Sequence, residues 1–318
     1  MTPRYKHQAI KTVAISLLSL LTIRRLWRLV KTSSSPKPQI DNRTTLCFGG
    51  AASLSWYYAG VYYYLWYHFD LTNVRCTGLS MGVPSCFAVA LKIKPLEKFR
   101  ISLEWASMIW SRPLKCFFMS SEGWCEPGRK CAKLFNITDD DVKAFAGTGT
   151  VMAGVTDISV FPPQHVMLED ATSIDESNYW TTLSMRIFPF YLFPGYYRGM
   201  LCIDGCFTRQ FLVPENANLD KVIRLSPFYL SGGDVTPTFN DGFTFLEVLY
   251  SRYRYQMFKG MWLGYSACER NHGLMVKRGL VEKDLELGGG EGSMKHMIMS
   301  SEKLLEAFVL ADPRKVEF

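Results

Sequence analysis

Gly78-Leu79-Ser80-Met81-Gly82 sets a serine between two glycines directly after the run Val74-Arg75-Cys76-Thr77. A hydroxyl held on a tight strand-to-helix turn becomes a nucleophile when a base takes its proton and N–H donors meet the charge that develops. Flanking glycines lack the Cβ atoms that would crowd such a turn. A helix beginning just afterwards aims its N–H groups and its dipole at the serine. Val83 to Ile93 reads as that helix, with Pro84 suited to its first turn. Ser80 is therefore a candidate nucleophile, with Gly78 and Gly82 forming its elbow.

Two further segments could serve that chemistry. Gly49-Gly50-Ala51-Ala52 follows the apolar run Thr45-Leu46-Cys47-Phe48, and Asp204-Gly205 follows Leu201-Cys202-Ile203. A Gly-Gly or an Asp-Gly taken alone is an ordinary turn. All three segments, however, fall at the carboxyl ends of predicted strands, where open α/β sheets place their sites.

Positioning them requires a sheet and its helices. Strands are expected at Thr45–Phe48, Val74–Thr77, Val151–Val160, His165–Leu168, Leu201–Ile203 and Val222–Leu225. Helices are expected at Leu54–Phe69, Val83–Ile93, Leu96–Trp110, Tyr179–Phe190, Phe245–Glu269 and Lys295–Leu310, and Thr138-Asp139 is a helix start signal. Strands alternating with helices predict a mixed α/β sheet covered on both faces. The helix after Gly49-Gly50 is apolar all round (Trp56 to Tyr67), which marks a buried helix, with the lining of an acyl groove as the bolder reading.

The 318 residues are 48% hydrophobic and 20% charged, enough for one substantial core from about Thr44 to Phe318. The net charge of +7 gathers near the start, in Arg4, Lys6, Lys11, Arg24, Arg25, Arg28 and Lys31. The apolar stretch there, Val13 to Ile23, is shorter than the ~20 residues that span a bilayer. Residues 1–31 read as an interfacial membrane anchor, with a cleaved signal as the alternative, and residues 32–43 as a linker. No groove-reading motif accompanies the basic residues, so nucleic acid is not an expected partner. Nine scattered cysteines, several inside apolar runs (Cys47, Cys76, Cys86, Cys202), suggest buried thiols in a reducing compartment. Cys116, Cys125 and Cys131 lack the paired spacing of a zinc site, and no metal is expected.

The stretch Cys47 to Val61 resembles the opening motif of the patatin-like phospholipases, in the branch containing adipose triglyceride lipase and adiponutrin. Gly78–Gly82 is similar to that family's elbow, Asp204-Gly205 to its Asp-Gly, and Ile223 to Phe228 to a later strand of the branch. The resemblance implies a three-layer α/β/α sandwich with a mixed central sheet. It implies a lipid acyl hydrolase with a Ser80–Asp204 dyad and an oxyanion loop at Gly49, Gly50, Ala51 and Ala52. It implies no cofactor, a lipid ester substrate, and an intracellular membrane or lipid-droplet surface, such as that of the endoplasmic reticulum. The chain departs from the family at Ala52, where another glycine is usual, at Cys206, and at Met185 and Arg186. Those departures keep a second reading open, a lipid-surface protein with weakened catalysis. A third is a serine–histidine triad using His165, His272 or His296.

Overall fold

Thr44–Phe48 is buried at every position, the pattern of a strand covered on both faces, and forms β1. The computed structural model describes residues 39–52, 54–111, 121–186, 193–241, 254–284 and 292–311. The expected anchor, the linker up to Pro38, and residues 245–253 of the expected helix from Phe245 lie outside the described residues. The compact unit spans Asp41–Phe318.

After β1 come α1 (Ser55–His68), β2 (Phe69–Asp70), β3 (Val74–Leu79), α2 (Val83–Ala90), α3 (Pro95–Ser111), α4 (Ser121–Leu134) and α5 (Asp139–Lys143). The chain continues through β4 (Val151–Asp157), β5 (Gln164–Leu168), α6 (Ile174–Ser184), β6 (Gly195–Tyr197), β7 (Met200–Asp204) and β8 (Val222–Leu225). It closes with α7 (Arg254–Arg270), α8 (His272–Lys277), β9 (Val281–Glu282) and α9 (Met294–Ala311).

Seven strands make the central sheet, in the order β6-β7-β4-β3-β1-β8 with β5 also on β4, while β2 and β9 form a separate ribbon. The pairings β4–β3, β3–β1 and β1–β8 are parallel; those of β5, β7 and β6 are antiparallel. Helices surround this mixed sheet, the α/β sandwich expected from the alternation of strands and helices. Trp56 to Leu65 of α1 are all buried, between α7 and α3 among other elements, so the blander reading of that aromatic helix stands. The Thr138 start signal also holds: Thr138 and Asp141 form a reciprocal capping box at α5.

Several boundaries differ from expectation, two of them for a local reason visible in the hydrogen bonds. The strand from Val151 stops at Asp157, whose Oδ1 accepts the Ser159 N–H at 2.9 Å and turns the chain. The helix expected from Tyr179 begins at Ile174, because Ser173 caps it by accepting the Glu176 N–H at 3.1 Å. It also ends sooner, at Ser184. The helix α4 was not expected, since Gly123, Pro127 and Gly128 interrupt its pattern. Among the described residues, no helix is long and apolar enough to cross a membrane.

Candidate active site

The register of β4 brings the distant motifs together. Leu79, the last residue of β3, pairs with Gly154. Asp204, the last residue of β7, pairs with the next residue, Val155. Ser80 and Asp204 therefore leave the sheet from adjacent positions of one strand.

Ser80 sits at φ +51°, in the left-handed region, and begins a single 3-10 turn that leads into α2 with Pro84 in its first turn. A non-glycine residue held there is strained by about 1–3 kcal/mol, which the surroundings must maintain. The elbow glycines make the turn possible. A Cβ on Gly82 would stand 2.5 Å from the Phe48 carbonyl oxygen, and one on Gly78 would stand 2.7 Å from the Val83 Cα. Ser184, which sequence reasoning did not single out, pins the elbow from α6. Its Oγ accepts the Ser80 N–H at 2.8 Å and donates to the Gly154 carbonyl at 2.6 Å.

Asp204 is 1% exposed, and Ser80 5%. The Asp204 N–H donates to the Arg186 carbonyl at 3.0 Å, and its own carbonyl accepts from Thr156 Oγ1 at 2.9 Å. Burial pushes its carboxyl above the ordinary carboxylate value. Hydrogen bonding from the Ser80 hydroxyl opposes that rise, as do the Cys206 N–H, at 2.8 Å, and the Cys206 thiol. A buried carboxyl thus stands near Ser80, with a pKa moved in the direction that general-base work would require. Gly205 allows the turn to sit here, since a Cβ on it would meet the Gly154 carbonyl oxygen at 2.4 Å.

The glycine loop completes the cluster, with its residues in different roles. The Gly49 N–H is committed to the Leu225 carbonyl of β8 at 3.0 Å, and its carbonyl accepts from the Tyr58 hydroxyl at 2.7 Å. Gly49 is thus an anchor of the loop, and Tyr58 on α1 is a second residue that sequence reasoning missed. Gly50 faces Ser80 and Cys206: a Cβ there would lie 3.6 Å from the Ser80 Cβ and 2.3 Å from the Cys206 Sγ. Ala51 is fully buried. Ala52 adopts φ +47°, the conformation for which a glycine is the easier residue. The N–H groups of Ala51 and Ala52 have no hydrogen-bond partner among the described residues, and are available as donors.

Cys206 is exposed as a residue, yet its Sγ turns inward between the Asp204 carboxylate and Gly50. Burial pushes the thiol well above its ordinary value, the Asp204 charge adds to the rise, and the Gly50 N–H opposes it. The thiol therefore competes for the donor that an oxyanion would use. The other departures fit without disturbing the base: Met185 and Arg186 are buried just past the end of α6, and Arg186 donates to the Phe193 carbonyl at 2.9 Å.

The candidate histidines make hydrogen bonds to other groups, while His165 Nε2 is buried without a partner among the described residues. His165 Nδ1 pairs with Thr208 Oγ1 at 3.1 Å, and burial lowers its pKa to about 4. His272 bridges the Tyr64 hydroxyl at 2.9 Å and Glu282 at 2.7 Å, while His296 Nδ1 meets the Tyr63 hydroxyl at 2.6 Å. Among the described residues, no group of three His, Cys, Asp or Glu side chains is placed to hold a metal ion. No protein-family model matches the chain, and no curated protein matches it.

Proposed function

We propose that this chain is a serine lipid acyl hydrolase, a relative of the patatin-like phospholipases that its motifs resemble, acting through Ser80 and Asp204. One observation carries the reading. A strained serine at a strand-to-helix turn and a buried aspartate leave the sheet beside adjacent residues of β4, and a glycine loop stands beside the serine. Ser80 Oγ attacks the ester carbonyl carbon while Asp204 takes the hydroxyl proton. The N–H groups of Gly50, Ala51 and Ala52 meet the oxyanion, where one donor is typically worth about 2.7–4 kcal/mol of barrier. Collapse of the intermediate breaks the ester C–O bond, and Asp204 passes its proton to the departing alcohol. Water, or another lipid alcohol, then attacks the acyl-serine; Asp204 takes the proton of that nucleophile and returns it to Ser80 Oγ.

The test is covalent labelling with a fluorophosphonate, beside turnover of a short-chain ester. Wild type should label and turn over, and Ser80→Ala should do neither. Equal rates for the two would end the hydrolase reading. If His165→Ala, His272→Ala or His296→Ala abolished activity while Asp204→Asn kept it, the base would be a histidine. The engagements of those rings favour the aspartate.

Cys206 and Ala52 give specific support to a second reading, a lipid-surface member of the same fold with attenuated catalysis. The thiol lies against Gly50, and the strained Ala52 lies in the loop that supplies the other donors. Residues 1–31 are proposed as the anchor that brings the domain to a membrane or lipid-droplet surface. Deleting the chain through Pro38 should release the protein from the membrane fraction, and unchanged partition would remove that proposal.

A further inference from the structure

Behind the elbow helix lies a cavity of about 90 Å³, separate from Ser80 and Asp204 and framed by residues of α2, α3, α4, α5 and α6. A buried water needs roughly 10–15 Å³ by this kind of measure, so there is room for a short hydrocarbon chain. Phe87, Leu91, Ile101, Trp105 and Ile137 make the lining predominantly apolar. Five polar side chains interrupt it: the helix hydroxyls of Ser102, Ser177 and Thr181, the last two donating to backbone carbonyls of α6, and two nitrogen donors, Lys98 and Asn178. Lys98 on α3 is only 5% exposed and lines the cavity. Its ammonium has no hydrogen-bond acceptor or carboxylate partner among the described residues; it lies 6.0 Å from the Tyr62 ring, and the Cys86 thiol is also near it. Asn178 on α6 lines the same cavity, and its Nδ2 is buried with no hydrogen-bond partner.

A buried cation without a partner is costly, and so is a buried amide donor without an acceptor. Two such donors in one apolar chamber are accounted for together by a ligand with one negative charge, at least two acceptor oxygens and a hydrocarbon tail. We infer that this cavity is a binding site for an aliphatic monocarboxylate, its carboxylate on Lys98 and Asn178 and its chain against Phe87, Leu91 and Trp105. A phosphate would bring more charge and more acceptors than one lysine and one amide can meet. Burial brings the Lys98 pKa down to about 8, which leaves it largely protonated near neutrality and able to accept such a partner. The site stands apart from the Ser80 reading, although ester hydrolysis would release molecules of this class.

Calorimetry on the full chain with sodium octanoate, and with 1-octanol as its neutral counterpart, tests the assignment. Octanoate should bind about ten- to a hundredfold more tightly than octanol, the range for one charge-assisted contact. Lys98→Met should erase that preference, while Ser80→Ala should keep it whether or not Ser80 is a nucleophile. Leu91→Trp, which fills the chamber and keeps Lys98, guards against misfolding of the lysine variant and should abolish binding of both compounds. Equal affinity for octanoate and octanol would overturn the inference. So would undiminished octanoate binding by a folded Lys98→Met protein, or displacement of octanoate by a fluorophosphonate bound at Ser80.

Discussion

The Ser80–Asp204 cluster buries a carboxyl and the Lys98 cavity an amine, and they treat those groups in opposite ways. Asp204 is surrounded by the Ser80 hydroxyl and by the N–H and thiol of Cys206, so its charged form is partly compensated where it sits. Lys98 lines a predominantly apolar cavity, 6.0 Å from a tyrosine ring and with an unsatisfied amide in the same lining, and has no carboxylate partner among the described residues. Compensated burial builds a reactive group with a shifted pKa; uncompensated burial leaves an interaction for a ligand to complete. Both side chains are expected to cost stability, and for only one of them is that cost expected to return as catalysis.

The sharpest way to break this contrast is to neutralise each charge. Asp204→Asn should lower ester turnover by about 10³-fold or more, as loss of a proton acceptor does in comparable sites. In wild type, activity should fall as acid protonates Asp204, at a pH above the ordinary carboxylate range because its pKa is raised. Stability moves the other way. The native carboxyl holds its proton more tightly than the unfolded one, so its contribution is complete below the ordinary carboxylate value and is lost as pH rises through the elevated one. Asp204→Asn should therefore unfold at a higher temperature than wild type at neutral pH. A lower melting temperature would mean that the three donors outweigh desolvation.

Lys98→Met should leave turnover unchanged and also stabilise the protein. The native ammonium gives up its proton near 8 instead of 10.5, so its contribution is complete above the higher value and is lost as pH falls through the lower. At pH 7 that difference is on the order of 3 kcal/mol, the most the substitution could recover. Denaturant titrations of the two proteins at pH 7 and pH 10 would measure it. A gap that does not narrow at the higher pH would assign the cost of Lys98 to packing instead of charge.

The two regions also differ in how far the sequence foretold them. Gly78, Ser80, Gly82, Asp204 and Gly205 were legible as turn and strand-end residues, whose restriction is local, whereas the pairing of Ser80 with Asp204 came only from the family resemblance. The mixed sheet was legible because strands such as Val151–Asp157 and Val222–Leu225 are short apolar runs between turn residues. Ser184 and Tyr58 were not, since a serine at a helix end and a tyrosine in an aromatic helix carry no mark of what they hold. Only the pairing of β4 with β3 and β7 brings the elbow beside Gly154, where Ser184 can grip it. The cavity was illegible for a stronger reason: a lysine in a helix reads as a solvated charge, and its burial depends on four other helices.

Cys206 offers a gentler probe of the first region. Replacing it with alanine removes the thiol while retaining the Cβ, and frees the Gly50 N–H for an oxyanion. Turnover should rise by about tenfold, part of what a full oxyanion donor is worth. The Michaelis constant should change less, because the donor acts on charge that develops in the transition state. Reduced turnover in Cys206→Ala would show the thiol to be a useful hydrogen-bond donor to Asp204 and not an obstruction.

The smallest expected effect lies at Ala52, and it separates strain from function within the glycine loop. At φ +47° an alanine carries about 1–2 kcal/mol that glycine would not, set against the extra backbone entropy glycine loses on folding. Ala52→Gly should therefore stabilise the protein by about 0.5–1 kcal/mol, readable as a small rise in the denaturant midpoint at unchanged slope. If the loop is already shaped for an oxyanion, turnover should stay within about twofold of wild type, because the donors do not move. A larger rise in turnover would mean that the Ala52 Cβ had been holding the Ala51 and Ala52 N–H groups out of line. The attenuated reading would then trace to one methyl group, where the compensated region departs most from the glycine its backbone favours.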